Sequence, residues 1–145
     1  MNNAASTKPP VLFYWIGAVA LLWNIAGIAA YYGQVTMSPE MLAQMPDAQR
    51  ALYENIPVWA TSAYAIAVNA GTLGCVLLLL RKKWALPVLV LSLTGVLVQI
   101  GHAFLMTNSI EVLGIGAVIF PVVIIVIGAY LIWFANGAKK KGWIN

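Results

Sequence analysis

The stretch SLTGVLVQIGHAFLM, residues 92–106, decides how this chain is read. It lies deep in an apolar run, yet it carries Gln99 and the single histidine, His102. Three residues apart on a helix, the two share a face. Alternating steps of three and four extend that face through Ser92, Gly95, Gln99, His102 and Met106. The remaining positions are mostly Val, Leu, Ile and Phe. A polar side chain turned to lipid finds few partners, so this stripe is expected to face inward, as the buried seam of a helical bundle.

The rest of the chain fits that seam. Of 145 residues, 62% are hydrophobic and 8% charged, whereas soluble domains carry roughly 25% charge. Four apolar spans stand out, residues 11–32, 57–80, 84–107 and 112–135. Each exceeds the about 20 residues that a helix needs to cross the hydrocarbon. The expected fold is all-α: a polytopic membrane protein built as an antiparallel four-transmembrane-helix bundle, in one domain. Lys8 ahead of an apolar run imitates a signal peptide, but the run is longer than a signal core, so the first span is expected to be retained as a helix. Cys75, the single cysteine, excludes an intrachain disulfide.

Charge sets the orientation. Lys8, Arg81, Lys82, Lys83, Lys139, Lys140 and Lys141 fall on one side of the four spans, whereas Glu40, Asp47, Glu54 and Glu111 fall on the other with Arg50. The positive-inside rule then places both termini in the cytoplasm. The net charge of +4 reflects topology and anionic lipid headgroups, which makes the bilayer the first partner and gives no reason to expect nucleic acid.

In chain order, residues 1–10 read as a short cytoplasmic tail and the first helix carries a small and polar stripe, Gly17, Ala20, Asn24, Gly27 and Tyr31. The outer loop, residues 33–56, holds two helix-start signals, Ser38-Pro39 and Pro46-Asp47, and an apolar side of Met37, Met41, Leu42, Met45 and Leu52. It is expected to form a short amphipathic helical lid on the outer mouth. In the second helix Ala60, Ala63, Ala67, Ala70 and Gly74 repeat at steps of three and four, which lets backbones approach and makes this helix central. Pro121 is expected to kink the fourth helix. Residues 136–145 read as a basic cytoplasmic tail with Trp143 resting on the interface.

Intramembrane polar groups are the candidate site. At ~1.5 Å per residue, Asn69 lies near the midplane, Asn24 and Gln99 about 4 to 5 Å outward, Tyr64 about 7 Å and His102 about 10 Å outward. If their stripes converge, they line a polar chamber that opens outward beneath Met106, Tyr31 and the lid, fit to bind a small polar solute. Membrane helices also use Asn and Gln simply as glue, at about 0.6 kcal/mol per bond. No intramembrane carboxylate, metal-ligand spacing, catalytic triad or phosphate-binding glycine loop is present. Neither an enzyme nor a bound cofactor is therefore expected, although His102 could serve as a proton switch or bind haem or quinone between two chains.

Trp23-Asn24 with Gly27, Ile56-Pro57-x-Trp59, Gly71-x-x-Gly74-Cys75 before Arg81-Lys82-Lys83, and the closing Lys141-Gly142-Trp143 together resemble a group of small bacterial four-helix membrane proteins, some of which carry the label "sugar transporter". The architecture is similar to that of the DoxX-like proteins. These likenesses imply a bacterial inner membrane. Two functions stand as expectations: a binding protein or transporter for a small polar solute, lined by Asn24, Tyr64, Asn69, Gln99 and His102, or an accessory subunit that packs in a homo-oligomer or against another membrane protein.

Overall fold

The computed structural model describes residues 7–145, so most of the expected tail, residues 1–6, lies outside the described residues. The described chain is all-helical: α1 Val11–Val35, α2 Pro39–Ala43, α3 Asp47–Glu54, α4 Val58–Leu79, α5 Ala85–Leu105, α6 Ser109–Leu113, a 3-10 turn Ile115–Val118 and α7 Ile119–Lys140. Four of these segments are long and apolar enough to span a membrane, so the protein is a multi-pass four-helix bundle.

The helices stand in the order α1, α4, α5, α7, as an arc in which each packs on the next. Ala60, Ala63, Ala67, Ala70 and Gly74 are all buried, and the span of α4 is 44% buried against 6 to 17% for the other three. The small-residue strip therefore makes α4 the centre, as its spacing predicts. The facing glycine on α5 is equally necessary. A Cβ on Gly95 would stand 2.8 Å from the Ala63 carbonyl oxygen and 3.0 Å from the Ala67 amide. At the ends of the arc, α1 and α7 meet through rings, Phe13 stacking on Phe134 with centroids 5.7 Å apart and Trp23 meeting Phe120 at 6.0 Å.

The two ends of the bundle differ. At the end that carries Arg81–Lys83 and Lys139–Lys141, Phe13, Cys75, Leu78, Ala85, Leu89, Leu131, Ala135, Ala138 and Ile144 form a tight core. The acidic end is looser, closed by α3 against α6. Its first short helix starts where the sequence predicts, with Ser38 Oγ accepting from the Met41 amide and Pro39 in the first turn. In α3, Arg50 bonds Asp47 at 2.5 Å and stands 3.9 Å from Glu54.

Three expectations need correction. The fourth span, expected as one helix over 112–135, is broken: Gly114 has φ +83°, a conformation that favours glycine, and separates α6 from the 3-10 turn and α7. Pro121 is then the third residue of α7, where its missing amide has no intrahelical acceptor to lose, and the break in the span lies at Gly114 instead. The fourth helix, expected to end at residue 135 ahead of the basic tail 136–145, continues to Lys140, and Ile144 is 3% exposed in the core. Trp143, partly buried, meets Phe13 edge-on at 5.9 Å, with the Lys141 ammonium 4.5 Å from its ring centre.

Candidate functional site

Between the four helices, on the acidic side of the core, lies a chamber of about 170 Å³. α1 contributes Trp23, Asn24 and Gly27, α4 Tyr64 and Val68, α5 Ser92, Val96 and Gln99, and α7 Phe120 and Ile124. None of the lining residues is charged. Above it, under the lid, a vestibule of about 200 Å³ is lined by Leu52 and Tyr53 of α3, by Gln34, and by Gln99, His102 and Thr107. Below it, a narrow extension of about 40 Å³ between Asn24, Gly71, Ser92 and Leu131 ends against the core. Gln99 belongs to the walls of both upper spaces, and Asn24 and Ser92 to both lower ones. The three spaces adjoin in this order and shrink from about 200 Å³ at the acidic end to about 40 Å³ against the apolar core.

Hydrogen bonding fixes what each wall group can offer. Asn24 donates its Nδ2 hydrogens to the Ala20 carbonyl at 2.9 Å and to Cys75 Sγ at 3.5 Å. Its carbonyl oxygen is left as an acceptor, lodged beside Gly71. Ser92 donates to the Ala67 carbonyl at 2.6 Å, so its oxygen also remains an acceptor. Tyr64 is positioned by an edge-on contact with Tyr31, centroids 5.3 Å apart. The Gln99 carboxamide has no protein hydrogen-bond partner among the described residues, so its two donors and its acceptor face the spaces on either side. His102 meets Trp59 edge-on at 5.1 Å in the vestibule wall.

The structure thus gathers Asn24, Tyr64 and Gln99 around one chamber and places His102 one level above, joined through Gln99. Asn69 does not belong with them. It is exposed on the outer surface of α4 and donates to its own Ala65 carbonyl at 2.8 Å. On a helix it stands about 140° round from the buried alanine strip, at about 100° per residue. Met106 also leaves the expected stripe, 68% exposed, because α5 ends at Leu105 and helical spacing no longer applies. Met41 of the lid points away, and the cover comes from Leu52 and Tyr53. Ser92, Trp23, Gly27 and Phe120 are wall residues that the candidate set lacks. Seven-residue spacing from Gln99 was the available signal for Ser92, and nothing local marked Phe120.

Among the described residues no three of His, Cys, Asp and Glu cluster as a metal ion would require. The chamber's chemistry is hydrogen bonding to an uncharged group within a mostly apolar wall. Comparison with protein-family models, with curated proteins and with solved structures finds no match for this chain.

Proposed function

We propose that this chain binds a small, uncharged polar solute in the chamber and carries it into or across a bacterial inner membrane. Both termini are cytoplasmic in this reading, since seven of the eight basic residues lie at the end closed by the core. The vestibule then faces the extracytoplasmic side. The observation that carries the reading is Gln99, an amide without a protein partner among the described residues, set between two adjoining spaces. An unpaired amide within the hydrocarbon depth costs about 1–3 kcal/mol, a penalty that a hydrogen-bonding solute or water removes. Walls without charge favour an uncharged guest, because a lone ion there would have no counter-charge. No catalytic step is part of this reading.

The test is osmotic swelling of proteoliposomes in glycerol, erythritol and glucose, read by light scattering, with binding read by calorimetry. Wild-type protein is expected to bind or pass at least one of these, and Gln99→Leu to weaken that by about tenfold. Equal behaviour of protein-free, wild-type and Gln99→Leu vesicles toward all three, without heat of binding, rejects the proposal.

A second reading, a non-catalytic accessory subunit, is favoured by Asn69. Ser62, Ile66, Asn69 and Leu73 form an exposed stripe on α4, which puts an amide acceptor at mid-span on the bundle's outer surface. Such a group is satisfied by a helix of another membrane chain, a second copy included. Energy transfer between labelled copies in liposomes tests the latter. Asn69→Leu should weaken association roughly threefold to thirtyfold, from about 0.6 to 2 kcal/mol per interhelical amide bond. Absence of transfer in wild type excludes self-association through this face.

A further inference from the structure

The chamber has a side as well as a mouth. α1 and α7, the ends of the arc, leave between them a groove of about 440 Å³ with apolar walls, among them Leu12, Ile16, Val19 and Trp23 of α1 and Ile127 and Leu131 of α7. Trp23, Ile127 and Leu131 also wall the narrow lower part of the chamber, beside Asn24 and Ser92. Groove and chamber are therefore adjacent across the same three side chains. At chamber level the seam is bridged by the Trp23 and Phe120 rings, 6.0 Å apart and tilted at 52°. Rings at this distance separate by side-chain rotation, with no backbone hydrogen bond to break.

We infer that the guest is a membrane-dissolved amphiphile with a small hydroxylated, uncharged head in the chamber and a single hydrocarbon chain in the α1–α7 groove. The inference rests on the chamber reading above and names the class of its ligand. Polarity decides the head. Asn24 Oδ1 and Ser92 Oγ are both acceptors whose own hydrogens are engaged, so a head that meets them must donate, as hydroxyls do. Gln99 and Tyr64 supply the complementary donors. A phosphate head is excluded on charge: the walls hold no cation, and the chain's lysines and Arg81 lie beyond the core at the opposite end. At about 30 Å³ per water molecule, the chamber has space for roughly five or six such units, which suits a glycerol-sized head and leaves the chain to the groove.

The probe is 1-oleoylglycerol carrying a photoactivatable diazirine in its chain, added to the protein in lipid nanodiscs, with labelled sites mapped by peptide mass spectrometry. Labelling is expected at Trp23, Ile127 and Leu131, to saturate, and to be competed by unlabelled 1-oleoylglycerol but not by phosphatidylglycerol. Val19→Trp, at an exposed groove position that leaves the core intact, should cut it about tenfold, and Gln99→Leu similarly. Labelling spread evenly over the lipid face of α5 at Val90 and Leu97, without saturation, overturns the inference, as does equal competition by phosphatidylglycerol. If free glycerol binds in the chamber while the groove remains unlabelled, the solute reading stands and the amphiphile is rejected. If neither probe binds, both fall.

Discussion

The Asn24 carboxamide occupies the place where a side chain on Gly71 would begin: a Cβ there would overlap Asn24 Oδ1 and come within 2.9 Å of Ser92 Oγ. Three helices thus meet at one point because α4 carries no side chain there. The same vacancy lets Asn24 reach Cys75 Sγ one turn further on. Gly71 sets the floor of the chamber as much as any polar residue does.

Gly71→Ala is therefore expected to destabilise the bundle by about 1–3 kcal/mol, the overpacking cost exceeding the roughly 0.5–1 kcal/mol that alanine contributes to a helix. Unfolding in mixed micelles measures it. Adding Asn24→Ala should recover much of the loss, since it removes the overlapped group, so the double-mutant cycle should be strongly non-additive. Additive losses would show that the two residues do not share this space.

Gln99→Leu separates binding from stability. The amide has no protein partner among the described residues, so its removal forfeits no internal hydrogen bond, and a side chain of similar size keeps the wall filled. Stability is expected to stay the same or rise by about 1 kcal/mol in the micelle assay, while guest binding falls. A loss of stability above that scale would mean that Gln99 is bonded within the bundle.

The sequence and the structure agree where spacing carries the information. The α4 alanine strip and the Ser92-Gly95-Gln99-His102 stripe both turn inward, because side chains three and four apart must share a face. Asn69 was misplaced by depth, which says how far along the normal a residue lies but not which way it points. Its angle to the alanine strip held the answer. A glycine among Val and Ile is compatible with a continuous helix, so the break at Gly114 has no local signal, whereas the return of Trp143 and Ile144 to the core depends on tertiary contacts. Phe120 belongs to the chamber because α7 closes the arc, a fact of topology rather than of pattern.

At the acidic end, Glu40 offers a pH prediction. Its own backbone amide, and then the Ser38 hydroxyl, hold its carboxyl below the ordinary value of 4.5. A depressed folded value means that this contribution to α2 is complete above about 4.5 and is lost as pH falls through the lower folded value. Carbon-13 titration should give Glu40 a midpoint below 4.5, and Ser38→Ala should move it back upward. A wild-type midpoint at or above 4.5 would contradict the cap geometry.

Arg81 closes the opposite end and does so in a strained conformation. It stands at φ +60° just past α4, where the Lys82 amide bonds the Leu77 carbonyl at 2.8 Å and the Arg81 amide bonds Leu78 at 2.9 Å, a helix end usually reserved for glycine. α7 ends in the same way with glycine in place, Gly142 at φ +69° and the Trp143 amide on the Ala138 carbonyl. The two ends are joined by the Lys83 amide to the Asn145 carbonyl at 2.7 Å and the Asn145 amide to the Arg81 carbonyl at 2.9 Å. The Arg81 side chain ties them further, donating to the Trp143 carbonyl at 2.8 Å and the Thr7 carbonyl at 3.0 Å. Arg81→Gly relieves about 1 kcal/mol of backbone strain but removes two charge-assisted bonds of about 1.5–3 kcal/mol each, so a net loss of roughly 2–5 kcal/mol is expected. Hydrogen exchange should show the Trp143 and Asn145 amides losing protection while the α4–α5 contact around Gly95 keeps its own. A variant as stable as wild type, with both amides still protected, would show that the backbone pairing alone closes this end.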